Sequence, residues 1–188
     1  MQTTAQATEI GNGVEGASNT DSDDQFLTFI MNNEEYGVNI LCVQEIRGWE
    51  SATPLPNAPS HIKGVINLRG TIVPIVDLRQ CFGLAAIEYT PVTVVIVLKV
   101  ETSKGSRITG IVVDAVSEVY TIADDDVKPA PDLGDAVDTS YVRGLVDVDK
   151  KMVILLEIDK LLSMEELPDL SDLHKSDLKN SINSDTLN

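Results

Sequence analysis

The sequence predicts an all-β protein made of two related five-stranded units around a shared core, with one short C-terminal helix. Three observations carry this expectation. The body is rich in Val and Ile in short runs, and Gly, Pro and Asn punctuate between them. Branched side chains suit a half-buried pleated surface, and many short strands with turn signals suggest barrels or a sandwich. Two blocks of residues recur in the same order further along the chain. Only one segment has the apolar spacing of a helix.

The strands follow in order. A first set runs over Phe26–Met31, Tyr36–Leu41, Val43–Arg47, Ile62–Leu68 and Thr71–Leu78. A second set runs over Val92–Val100, Arg107–Val113, Val116–Ile122, Val142–Val148 and Met152–Ile158. The helix covers Ile158–Glu166, where Ile158, Leu161, Leu162 and Glu165 fall at helical spacing. A first unit is expected over about 26–90 and a second over about 91–150, with 151–164 closing the fold.

The repetition has two parts. Gly37, Val43, Glu45 and Ile46 recur as Gly110, Val116, Glu118 and Val119, an offset of 73. His61–Leu78 lies over Tyr141–Ile158 at an offset of 80, with Gly64 over Gly144 and Asp77 over Glu157. A Pro-rich link precedes each second block, with Pro54, Pro56 and Pro59 in one half and Pro129 and Pro131 in the other. Units this small need a common core to bury enough surface. Stability alone explains such a repeat, so it carries no functional message.

Charge excludes several partners. The 188 residues hold 30 acids against 14 Lys and Arg, a net charge of −16. Such a chain matches neither phosphate backbones nor anionic lipid, both of which need a basic face. The acidity is local. Residues 1–24 carry five acids and no base, and residues 165–188 carry six acids against Lys175 and Lys179. The first tail is too polar to bury enough apolar area to offset ordering entropy and is expected to be disordered, and the second is an acidic tail with only scattered apolar residues such as Leu167, Leu170 and Leu173. Positions 120–149 hold eight Asp against Lys128 and Arg143, which leaves the remaining body near neutrality. The longest aliphatic run, Val94–Leu98, is far short of the roughly 20 residues of a membrane span. No basic n-region with an apolar h-region opens the chain, so no secretory leader and no membrane insertion are expected, and the protein is read as soluble and intracellular.

Catalytic constellations are missing. Asp138-Thr139-Ser140 lacks the Gly of an aspartic-protease triplet and has no partner in the other half, which leaves a carboxylate-dependent hydrolase as the weak alternative from another class. Asp124–Asp126 are consecutive and diverge, so they read as a solvated loop rather than a cation site. Gly11, Gly13 and Gly16 have dinucleotide-loop spacing without the strand and helix that give it meaning. His61 and His174 suggest no nucleophilic pair, and Cys42 and Cys81 read as structural thiols. No enzyme, metal or cofactor is expected.

Function should sit where the halves diverge. Asn67-Leu68-Arg69-Gly70 stands opposite Asp147-Val148-Asp149-Lys150. Gly70 supplies positive φ for a hairpin turn and leaves Arg69 projecting at its tip, as a contact residue or as a solvated turn arginine. Along Val43–Trp49, alternation puts Val43, Glu45, Arg47 and Trp49 on one face. Trp49 is either core or an interface anchor. Glu45 and Arg69 carry opposite charges on adjacent elements and are placed to pair.

Five collinear blocks now make a resemblance specific. They are E-E-Y-G-V-N-I-L-C-V-Q-E-I-R-G-W, P-x-A-P-S-H-I-K-G-V-I-N-L-R-G-T-I-V-P-I-V-D-L-R, T-V-V-I-V-L, G-I-V-V-D-A-V-S-E-V and V-K-P-A-P. Over residues 26–164 the chain resembles the CheW family of chemotaxis coupling proteins. The resemblance implies two SH3-like five-stranded barrels around a common core. It also implies a non-enzymatic cytoplasmic adaptor, recruited to membrane-associated arrays, that joins methyl-accepting chemoreceptor tips to the regulatory domain of the histidine kinase CheA, with CheW–CheW ring contacts as a further possibility. Carried over by position, Val43, Glu45, Arg69, Val94 and Val95 would meet the receptor, with strand core as the other reading of the last two. Lys128 and Leu133 would meet the kinase, although many relatives carry an aromatic residue where Leu133 stands. An adaptor of a parallel array with a non-flagellar output is the neighbouring alternative.

Overall fold

A computed structural model describes residues 24–103, 105–131 and 139–164. Five strands occupy the first half: β1 Asp24–Met31, β2 Glu34–Asn39, β3 Val43–Gly48, β4 Ile62–Leu68 and β5 Thr71–Asp77. Five follow in the second: β6 Val94–Thr102, β7 Gly105–Val113, β8 Ala115–Ile122, β9 Val142–Val148 and β10 Lys151–Leu156. Helix α1, Leu78–Cys81, is a single turn after β5, and α2, Ile158–Met164, follows β10. The ten predicted strands are all present. The second ends sooner than expected because Asn39 accepts a side-chain hydrogen bond from Leu41 N–H and starts a 3-10 turn at Ile40–Cys42.

The sheets do not follow the boundary expected near residue 90. One sheet has the order β8-β1-β2-β10-β9 and the other β3-β6-β7-β5-β4. Each half therefore gives two strands to one sheet and three to the other. A single half contains no complete sheet, so the halves are interlocked by strand exchange.

The repeat is the internal symmetry of this exchange. The two parallel pairings put Leu155 beside Gly37 and Ile75 beside Gly110, the same positions at offsets of 80 and 73. Both glycines are there because the neighbour's side chain fills the space of a Cβ. An added Cβ would lie 2.9 Å from Leu155 Cδ2 at Gly37, and 2.6 Å from Ile75 Cδ1 at Gly110. The Pro-rich links match as well: Thr53 bridges to Val65 in one half and Lys128 to Leu145 in the other. Each bridge carries the chain after an edge strand across to the far edge of its own sheet, which curls the sheet into a barrel.

Three apolar clusters result. Val73, Ile75, Val95, Val97 and Val112 fill the barrel containing β3, and Phe26, Ile122, Val146, Val153 and Leu155 fill the other. Between the sheets lies the largest cluster, which includes Phe29, Met31, Val38, Leu78, Ile96, Leu98, Ile111 and Val113. Helix α2 turns Ile158, Leu161 and Leu162 into this shared core against β6. Full burial of each such side chain contributes roughly 1.5–3 kcal/mol. The expected helix is in place over Ile158–Met164, and Glu165 and Glu166 lie outside the described residues.

Candidate contact face at the β3 edge

Among the described residues strand β3 is bonded to β6 on one side only, so it is an open edge of its sheet. Its alternation is as expected: Val43, Glu45, Arg47 and Trp49 are half-buried, while Gln44, Ile46 and Gly48 are exposed. Arg47 Nη2 donates to Glu50 at 2.7 Å. Trp49 lies 4.3 Å from the Tyr89 ring, centre to centre, and packs against the barrel interior. Its ring belongs to the barrel wall and is not a free anchor.

Across the barrel mouth stands the β4–β5 hairpin. Its tip has two residues in the left-handed region, Arg69 at φ 49° and Gly70 at φ 90°. Arg69, and not Gly70 alone, adopts positive φ, as a two-residue turn matched to strand twist requires. Asn67 Oδ1 accepts from Gly70 N–H at 2.7 Å and fixes the turn. Arg69 is 82% exposed and reaches Glu45, 27% exposed, at 3.1 Å. The expected pair is formed.

The matching turn of the other half has the same backbone and the opposite charge. Asp149 at φ 50° stands where Arg69 does, and Glu118 stands where Glu45 does. The face with Arg69 therefore differs in charge while its backbone is kept.

The remaining candidates divide. Val43 and Val94 are half-buried and lean on the shared core, at the two ends of the β3–β6 pairing. Val95 does not reach this face. It is 3% exposed on a strand bonded on both sides, and it points into the barrel. The expectation that Val95 lines an open surface is corrected accordingly. Lys128 lies far along the chain, beside the second barrel, where Nζ donates to Asp147 at 2.7 Å. That hydrogen bond and the Asp147 charge raise the ammonium above its ordinary pKa. Leu133 and Asp138 lie outside the described residues.

A polar hub at the end of β5 has no counterpart among the expectations drawn from the sequence. Asp77 is 3% exposed and ends β5. Its carboxylate accepts from the N–H groups of Arg79 and Gln80, from Gln80 Nε2 at 3.1 Å and from the Tyr89 hydroxyl at 2.8 Å. Burial, then the Asp77 bond and charge, push the Tyr89 hydroxyl well above its ordinary pKa. Buried Arg79 pairs with Asp114 at 2.6 Å and donates to Ala85 O. The available signal was Asp77 immediately before a helix-forming turn, an N-cap pattern. Nucleophilic chemistry finds no support at Cys42, whose thiol is pushed up first by burial and then by Asp159. Among the described residues no cluster of His, Cys, Asp and Glu could hold a metal ion.

Comparison with known proteins bears on this arrangement. The family model described as "CheW-like domain" matches residues 25–166. The chain belongs to the CheW-like family. Chemotaxis protein CheW of Klebsiella aerogenes is 47% identical over 152 residues, covering 81% of this chain and 89% of its own. Chemotaxis protein CheW of Rhizobium meliloti is 42% identical, covering 76% and 89%. Protein FrzA of Myxococcus xanthus is 31% identical, covering 73% and 84%. The crystal structure of the scaffolding protein TtCheW from Thermoanaerobacter tengcongensis has 30% identity and a TM-score of 0.69, over 79% of this chain and 98% of its own. The two curled five-stranded sheets are thus the CheW-like architecture, as the resemblance implied.

Proposed function

We propose that the protein is a non-enzymatic scaffold of chemotaxis signalling that joins the cytoplasmic tips of methyl-accepting chemoreceptors to the regulatory domain of the histidine kinase CheA. The observation that carries this reading is the Arg69–Glu45 pair, set on an open sheet edge in the half where charge departs from the internal symmetry. A receptor tip offers an apolar stripe with polar flanks. Val43 and Val94, at the two ends of the β3–β6 pairing, supply the complementary surface together with Glu45 and Arg69. Lys128 and Leu133 are proposed for the kinase arm, and further copies of the chain could occupy ring contacts of the same type.

Among the described residues no helix is long and apolar enough to cross a membrane. The protein is read as cytoplasmic and brought to the membrane by its receptors. A second reading keeps the same contacts in a parallel array with a non-flagellar output. Its support is the likeness to Protein FrzA. Pull-down of wild type and Arg69→Glu with receptor cytoplasmic fragments and CheA tests the scaffold. Wild type should recover both partners, and the variant should lose the receptor while keeping the kinase.

A further inference from the structure

Two elements make the candidate receptor face: β3 with Glu45, and the β4–β5 hairpin with Arg69 at its tip. The Arg69–Glu45 pair is a weak tie between them, because Arg69 is almost fully in solvent. An open edge strand also belongs to the part of a sheet that opens most easily.

A second tie joins the same elements from the covered side. Asp77 terminates the hairpin, and Tyr89 donates to its carboxylate at 2.8 Å. The Tyr89 ring packs on Trp49, the residue after β3, at 4.3 Å. Trp49 N–H donates to Thr93 O at 3.0 Å, so the loop over residues 82–93 is held at both its middle and its end. Arg79 anchors its start through Ala85 O. The backbone bridge Thr53–Val65 lies further along the same side.

The internal symmetry separates function from packing here. The other barrel is filled without this device, with Ile122 at the place of Trp49 and Glu157 at the place of Asp77. The brace stands in the half that carries Glu45 and Arg69. Packing alone does not require it.

We propose that Tyr89 is a positioning residue for the receptor face, linking Asp77 to Trp49 and thereby holding β3 at the spacing that keeps Glu45 opposite Arg69. The receptor part of this statement rests on the function proposed above.

Two variants test it on the full chain. Tyr89→Phe removes the hydroxyl and keeps the ring, and Tyr89→Leu removes the ring stack as well. Amide hydrogen exchange over β3 should rise about tenfold in Tyr89→Phe, the scale of one lost half-buried hydrogen bond, and further in Tyr89→Leu, with β9 and β10 unchanged. Affinity for receptor cytoplasmic fragments should fall several-fold while CheA binding is kept. Unchanged β3 exchange in both variants would overturn the brace. A uniform rise across both sheets would also overturn it, since that marks a general loss of stability. Wild type that binds no receptor fragment would defeat the receptor reading alone, and the exchange measurement would still decide the role of Tyr89.

Discussion

Arg69 meets Glu45 at 3.1 Å across the mouth of one barrel, joining a hairpin tip to an open edge strand. Such an exposed pair contributes only about 0–1 kcal/mol to stability. Its position is therefore more informative than its strength. Arg69→Glu should shift Tm by no more than about 4 °C, the scale of 1 kcal/mol in a chain of this size. The double variant Glu45→Arg with Arg69→Glu should restore that shift without restoring receptor binding. Calorimetry with a binding assay on the same samples checks both expectations.

The tight parallel pairings make a sharper stability prediction. At Gly110 a Cβ would lie 2.6 Å from Ile75 Cδ1 and 2.9 Å from Val95 Cγ1, both inside a filled barrel. Gly110→Ala should cost about 1–3 kcal/mol through overpacking, read as a lower urea midpoint with unchanged slope. Gly48→Ala meets nothing within 4 Å and should cost far less.

Tyr89 gives a pH dependence with a definite sign. Its hydroxyl is held above the ordinary value of 10.0 in the folded chain, so the unfolded chain ionises first as pH rises. The stability it contributes is complete below pH 10 and declines above it. Wild type should lose more of its urea midpoint between pH 8 and pH 11 than Tyr89→Phe does. Equal losses in the two proteins would remove the Asp77 bond from the account.

Lys128 tests the second arm. Its ammonium and Asp147 are both exposed, so Lys128→Ala should leave the melting temperature almost unchanged. CheA binding should weaken, and its dependence on salt should become shallower, because exposed charges are screened. Titration at two ionic strengths measures this.

Much of this was legible in the residues. Strand positions followed from runs of branched side chains, and the offsets of 73 and 80 proved to carry one parallel pairing, β2 with β10, onto the other, β7 with β5. Arg69 and Glu45 were legible as a pair because opposite charges stood on neighbouring elements. The strand exchange was not legible, since alternation along β3 reports its buried face and says nothing of which sheet supplies its neighbour. Val95 was ambiguous for a related reason. Strand β6 is central and packed on both faces, so Val94–Leu98 is aliphatic throughout and shows no period from which to assign a side. The Asp77–Tyr89–Trp49 brace joins residues far apart in sequence and needed the fold to bring them together.

The most direct measurement is recovery of receptor fragments and CheA by wild type and by Arg69→Glu in one pull-down. Wild type should bring down both, and the folded variant should bring down CheA alone. A folded Arg69→Glu variant that still recovers the receptor at wild-type levels would contradict the account.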